Sequence, residues 1–132
     1  MTSVPWDTQE IATAPAVTAP DGSAVRILCA TASGSMISFT LEPGEVSKAV
    51  RHCTVQEIWL VVAGHGRLWR GWGEREEVVE LRPGLSLTIP VGVRFQFRND
   101  GDGVLQIAAV TMPPWPGEGE AVVTNGPWPA TV

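Results

Sequence analysis

The chain has 132 residues, 44% of them apolar, and carries nine Lys and Arg against 14 Asp and Glu for a formal charge of −5. That length builds one domain whose core needs no disulfide or metal staple. The acidic balance, with its few cations scattered rather than clustered, excludes a nucleic-acid partner, and no apolar run approaches the roughly 18 residues of a membrane span.

Cys29 and Cys53 have no metal-ligand spacing, and the opening residues lack the charged and apolar regions of a secretory leader. A soluble cytoplasmic protein with reduced thiols is therefore expected. Residues 1–23 contain Pro5, Pro15, Pro20 and the turn former "PDGS", which predict an extended N-terminal arm.

From residue 24 the chain reads as strands. "AVRILCA", "SMISFTL", "EIWLVV", "RLWRGW", "EEVVEL", "LSLTI", "VRFQF" and "VLQIAAVTM" are short and apolar or β-branched, separated by glycine- and proline-bearing turns. "EVSKAVRH" is readable as helix or strand. The pattern predicts an all-β sandwich or barrel over residues 24–112. Residues 113–132 are rich in proline and glycine and hold Trp115 and Trp128, so this second arm is expected to pack on the barrel or on a partner subunit.

Alternation along "SMISFTL" turns Ile37, Phe39 and Leu41 inward, whereas "RLWRGW" and "VLQIAAVTM" are apolar on both faces and leave their inner sides open. "EREEVVE" is a solvated acidic edge that discourages edge-to-edge pairing. His65 is expected to be an exposed turn residue, and Trp69, Arg70 and Trp72 to belong to a packed or subunit-facing strand.

Two spaced sets stand out. The first runs Gly44, five residues, Val50, one residue, His52, four residues, Glu57, six residues, Gly64; the second runs Gly84, five residues, Pro90, one residue, Gly92, two residues, Phe95, three residues, Asn99. Both resemble the two motifs of the cupin superfamily. The resemblance implies a double-stranded β-helix, or jelly roll, of the small single-domain type, with extended N- and C-terminal arms.

In that superfamily three histidines and a glutamate point into the barrel and hold a divalent metal. Here the resemblance places Val50 and Phe95 at two of the histidine positions and keeps His52 and Glu57, so the metal site is degenerate. A catalytic zinc or facial iron site has three protein ligands. No cofactor is therefore expected, beyond a weak or adventitious Fe, Mn, Ni or Zn held by His52 and Glu57. A shifted register would put Arg51 and Cys53 at the histidine positions; because neighbours on a strand face opposite ways, only one register can be correct, and the one with His52 inward is preferred.

With His52 inward, Glu57, Trp59 and Val61 share the facing side of the next strand and Phe95 and Phe97 lie opposite, making an apolar pocket with few polar groups. Phe39, Val50, Gln56, Trp59, Val61, Phe95 and Phe97 are the expected substrate-binding residues, Gln56 only if its strand bends. Burial should raise the Glu57 pKa and suit it to general acid–base work, with His52 hydrogen-bonded to it. The expected function is binding of a small molecule, with metal-independent isomerase, lyase or cyclase chemistry carried by His52 and Glu57. A metal-dependent enzyme and a non-catalytic ligand-binding or sensory module are the alternatives. The Trp-bearing arms and apolar outer faces suggest a homodimer.

Overall fold

The computed structural model describes residues 6–132; the first five residues of the expected N-terminal arm lie outside that range. Within it the only helical turn is a 3-10 turn at Ile11–Thr13, and everything else regular is strand. The strands are β1 (Ala16–Thr18), β2 (Ala24–Ala30), β3 (Ser35–Leu41), β4 (Val50–His52), β5 (Gln56–Ala63), β6 (Gly66–Trp72), β7 (Arg75–Leu81), β8 (Ser86–Ile89), β9 (Arg94–Asn99), β10 (Leu105–Met112) and β11 (Ala121–Val123).

These strands make two antiparallel sheets, ordered β1-β2-β3-β10-β5-β8 and β11-β4-β9-β6-β7. Strand β5 shows why the sequence folds so: Glu57, Trp59 and Val61 are buried while Ile58, Leu60 and Val62 stay 45–47% exposed, a period of two with one face in each environment. The same alternation settles the strand that sequence left open at 105–112, where Leu105, Ile107, Ala109 and Thr111 point inward. On β6 both Leu68 and Trp69 are buried, Leu68 in the core and Trp69 beneath the guanidinium of Arg94, 5.3 Å from its ring centroid.

Between the sheets the core is knit by aromatic edges meeting faces. Phe39 lies 4.8 Å from Trp59 and 5.4 Å from Phe97, and Trp59 lies 5.3 Å from Phe97, all near-perpendicular, the geometry that matches positive ring edges to negative faces. Leu68, Leu81, Ile89, Leu105 and Ile107 complete it. Each such buried side chain stabilises the fold by about 1.5–3 kcal/mol.

Two motif positions have a visible structural task. Gly64 holds φ at +90°, and a Cβ there would sit 2.5 Å from the Val104 carbonyl oxygen, so only glycine closes the β5–β6 turn. The buried Asn99 donates through Nδ2 to the carbonyls of Leu41 (2.9 Å) and Gly103 (2.8 Å) and accepts from the Gly101 amide (2.9 Å), joining the two sheets at that end.

The arms are less bare than their composition suggests. β1 pairs with β2, and β11 pairs with β4, so each arm adds an edge strand. Beyond β11, Thr131 donates its amide to the Val46 carbonyl at 2.9 Å, and Trp128 exchanges bonds with Gln96 while Arg67 and Arg98 stack 5.5 and 5.3 Å from its ring. The C-terminal arm thus packs on its own barrel. Among the described residues no helix is long and apolar enough to cross a membrane.

Candidate functional site

At one end of the sandwich the core gives way to a cavity of about 360 Å³. It is walled by β2, β3, β4, β5 and β9 and closed at its sides by the β1–β2 turn and the C-terminal arm. Strand β4 contributes Val50 and His52, both buried, with Arg51 between them turned the other way and Cys53 exposed. The register that sends His52 inward is therefore the one adopted. Glu57 and Trp59 come from β5, Phe39 from β3 and Phe95 from β9.

Glu57 is 5% exposed, and its only hydrogen-bond donor among the described residues is the Trp59 indole, which reaches Oε1 at 2.9 Å. Burial pushes its pKa up to about 7, against the pull of the Trp59 bond, and the negative charge of Asp21 adds to the rise. A carboxyl with that midpoint is divided between acid and base near neutrality.

His52 is 3% exposed, and its Nδ1 is buried without a hydrogen-bond partner. Burial lowers its pKa to about 4, while the charge of Glu120 pulls the other way. At neutral pH the ring is uncharged. It packs nearly perpendicular to the rings of Phe95 and Trp115, at centroid distances of 5.2 and 5.1 Å. The expected hydrogen bond between His52 and Glu57 is not formed: both line the cavity, but each has different neighbours, because Glu57 turns to the indole on its own strand.

Three expected binding residues lie elsewhere. Gln56 is exposed, since β5 runs regularly through this point and alternation that buries Glu57 must turn Gln56 out. Val61 and Phe97 face inward but are sealed in the core, one pair-spacing beyond the cavity floor on their strands. Arg70 is also outside it, bonded to Glu77 and to the Thr88 carbonyl, and His65 is exposed in its turn.

Two cavity groups, and one acid behind the cavity wall, come from outside the motifs. Asp21, from the "PDGS" turn, is buried and accepts through Oδ1 from the Ser23 amide (2.9 Å) and hydroxyl (2.7 Å); burial raises its pKa despite those bonds and the nearby charge of Lys48. Trp115, from the C-terminal arm, lines the cavity beside His52. Glu120 stands just behind the wall, where its Oε1 accepts from the Thr54 amide (2.7 Å), the Thr54 hydroxyl (2.6 Å) and the Val55 amide (2.6 Å). Burial works to raise the Glu120 pKa, but those donors prevail and hold it below the usual carboxylate range.

The donor set does not fit a metal of the superfamily's kind. Val50 and Phe95, at two ligand positions, are direct cross-strand partners and fill with hydrocarbon the space where two imidazoles would stand. Among the described residues no three His, Cys, Asp or Glu side chains are grouped to hold an ion.

Comparison with solved structures returns barrels of the same build. A double-stranded β-helix protein from Klebsiella pneumoniae aligns with a TM-score of 0.65 and 18% identity over 79% of this chain and 85% of that one. A Streptomyces PAC13 variant solved with uridine gives a TM-score of 0.71 and 13% identity over 92% of each. Bacillus subtilis oxalate decarboxylase, a protein with Mn(II) centres, gives 0.67 and 15% identity over 76% of this chain and 28% of its own. A comparison with curated proteins finds no match. The cupin domain family matches residues 37–111, more than half of the sequence, and with both sheets in place the chain belongs to that family.

Proposed function

We propose that this cupin binds a small molecule in its barrel cavity and moves a proton on it with Glu57, in an isomerase, lyase or cyclase type of reaction. The observation that carries the reading is a carboxyl 5% exposed on the wall of a mostly apolar cavity, where burial pushes its pKa up to about 7. As carboxylate, Glu57 takes a proton from carbon next to a carbonyl, the electron pair moving onto the carbonyl oxygen; as carboxylic acid it returns the proton to the same or a neighbouring atom. Neutral His52 offers a hydrogen bond to the substrate rather than a charge. The PAC13 neighbour solved with uridine supports a small-molecule occupant for a barrel of this size.

Proton transfer of this kind is read directly by isotope exchange. Incubating the protein with a panel of ketones in heavy water should wash α-protons out of at least one of them, followed by NMR. Glu57→Gln should slow that exchange by about a hundredfold or more. Exchange by the variant at the wild-type rate removes Glu57 from the chemistry.

A further inference from the structure

Among the described residues the charged side chains that line the cavity are acidic: Asp21 and Glu57 line it, no lysine or arginine does, and His52 is neutral. Lys48, whose charge reaches Asp21, is turned away to the Val132 main-chain oxygen at 2.7 Å. An anionic ligand would have to shed its water beside two acids with no cation to receive it.

Each of the two acids also keeps an oxygen in reserve. Both bonds that Asp21 accepts fall on Oδ1, and the Trp59 bond to Glu57 falls on Oε1, so Oδ2 and Oε2 have no protein donor among the described residues. The His52 Nδ1 likewise has none. Among the described residues His52 Nδ1 is a buried atom left without a partner, and a ligand in the cavity can supply that partner as well as bond to the two free carboxyl oxygens.

The rest of the wall is aromatic. Phe39, Trp59, Phe95 and Trp115 present rings to the same space, and ring faces attract organic cations. Apolar side chains from β2 and β3, among them Val25 and Ile37, cover the remainder.

We infer that the ligand is a small organic cation, a protonated amine on a flat apolar body, with its charge directed to Asp21 and Glu57 and its body held among the rings. The inference rests on the reading that the cavity binds a small molecule, and it narrows the class: phosphorylated and carboxylated compounds are excluded by the same charges that attract an amine. Asp21 is then a specificity residue. It selects the charge of the substrate on which Glu57 acts.

Three probes that share an indole ring test this: tryptamine, tryptophol and indole-3-acetate, titrated calorimetrically into the full chain at mildly alkaline pH. Tryptamine should bind about tenfold tighter than tryptophol, the gain expected of a desolvated cation near rings and carboxylates, and indole-3-acetate should not bind. Asp21→Asn, which retains the Oδ1 acceptor for Ser23, should narrow the amine's advantage over the alcohol, Glu57 keeping the remainder. Tryptophol or indole-3-acetate binding as tightly as tryptamine in the wild type overturns the charge preference and leaves the small-molecule reading standing. No binding by any of the three overturns the amine inference, while the ketone exchange experiment decides the small-molecule reading separately. The wild-type comparison decides the charge question even if Asp21→Asn fails to fold.

Discussion

The Trp59 indole donates a 2.9 Å hydrogen bond to Oε1 of Glu57, two residues earlier on the same strand face. This bond favours the ionised carboxyl and burial opposes it, and burial wins, which leaves the group poised near neutrality. Trp59→Phe keeps a ring in the core but removes the donor. The Glu57 midpoint should then rise above its wild-type position, and the fold should lose about 1–3 kcal/mol for the missing bond and volume. Carbon-detected NMR titration and chemical denaturation read the two effects separately.

Glu57 and His52 should pull stability in opposite directions with pH. Native Glu57 holds its proton up to about 7 whereas the unfolded chain releases it near 4.5, so across that window the folded state binds more protons. Its share of stability is whole below 4.5 and falls as pH rises, by about 3 kcal/mol in all. Unfolded His52 takes a proton near 6.5 but the native ring resists until about 4, so its share is whole above 6.5 and is lost as pH falls. Relative to wild type, Glu57→Gln should gain stability progressively on raising pH from 4.5 to 7. His52→Gln should gain it on lowering pH from 6.5 to 4. Urea midpoints measured across that range check both slopes.

Glu120 ties the C-terminal arm to the turn after β4. Glu120→Ala removes the acceptor of the Thr54 and Val55 amides and should cost about 1–3 kcal/mol. It also removes the charge that raises the His52 pKa, so the His52 midpoint should move below about 4. A purely structural role for Glu120 would change the melting temperature and leave the imidazole titration where it was.

The donor count at the degenerate metal positions can be reversed. Val50 and Phe95 face each other across β4 and β9, and the Phe95 ring lies 5.2 Å from that of His52. Val50→His combined with Phe95→His should therefore restore four donors and bind Mn(II), Ni(II) or Zn(II), seen as a metal-dependent rise in melting temperature. Untagged wild-type protein should show no such rise and only substoichiometric metal on elemental analysis. One equivalent of tightly held metal in the wild type would show that His52 and Glu57 recruit ligands by another arrangement.

Strands such as β5 and β8 were legible because one face is buried, and a buried face writes a period of two into the sequence, whereas β6 and β9 bury neighbouring residues, Leu68 with Trp69 and Phe95 with Gln96 and Phe97. β1 and β11 were not legible, since three-residue edge strands between prolines owe their existence to the partner edge rather than to their own pattern. "EVSKAVRH" resolved into a strand only at Val50–His52. Spacing identified His52 and Glu57, but Asp21 and Trp115 come to the cavity, and Glu120 to the wall behind it, from arms 30 or more residues from Glu57 or His52, and no local rule links them. Asp21 in particular sits in a tetrapeptide that reads as an exposed turn; its burial follows from the arm folding back on β2. Gln56 is turned outward because β5 pairs with β10 in unbroken register from Gln56 to Val61, the one shift falling at the far end between Gln106 and Ile107, so no bend swings Gln56 inward.

The central claim is that Glu57 is a carboxyl held near neutrality inside the cavity. Selective carbon-13 labelling of glutamate, with the Glu57 resonance assigned by its absence in Glu57→Gln, gives its titration curve in the intact protein. A midpoint near 7, moved downward when tryptamine is bound, is the predicted result. A midpoint near the ordinary 4.5 of a solvated glutamate would contradict the account.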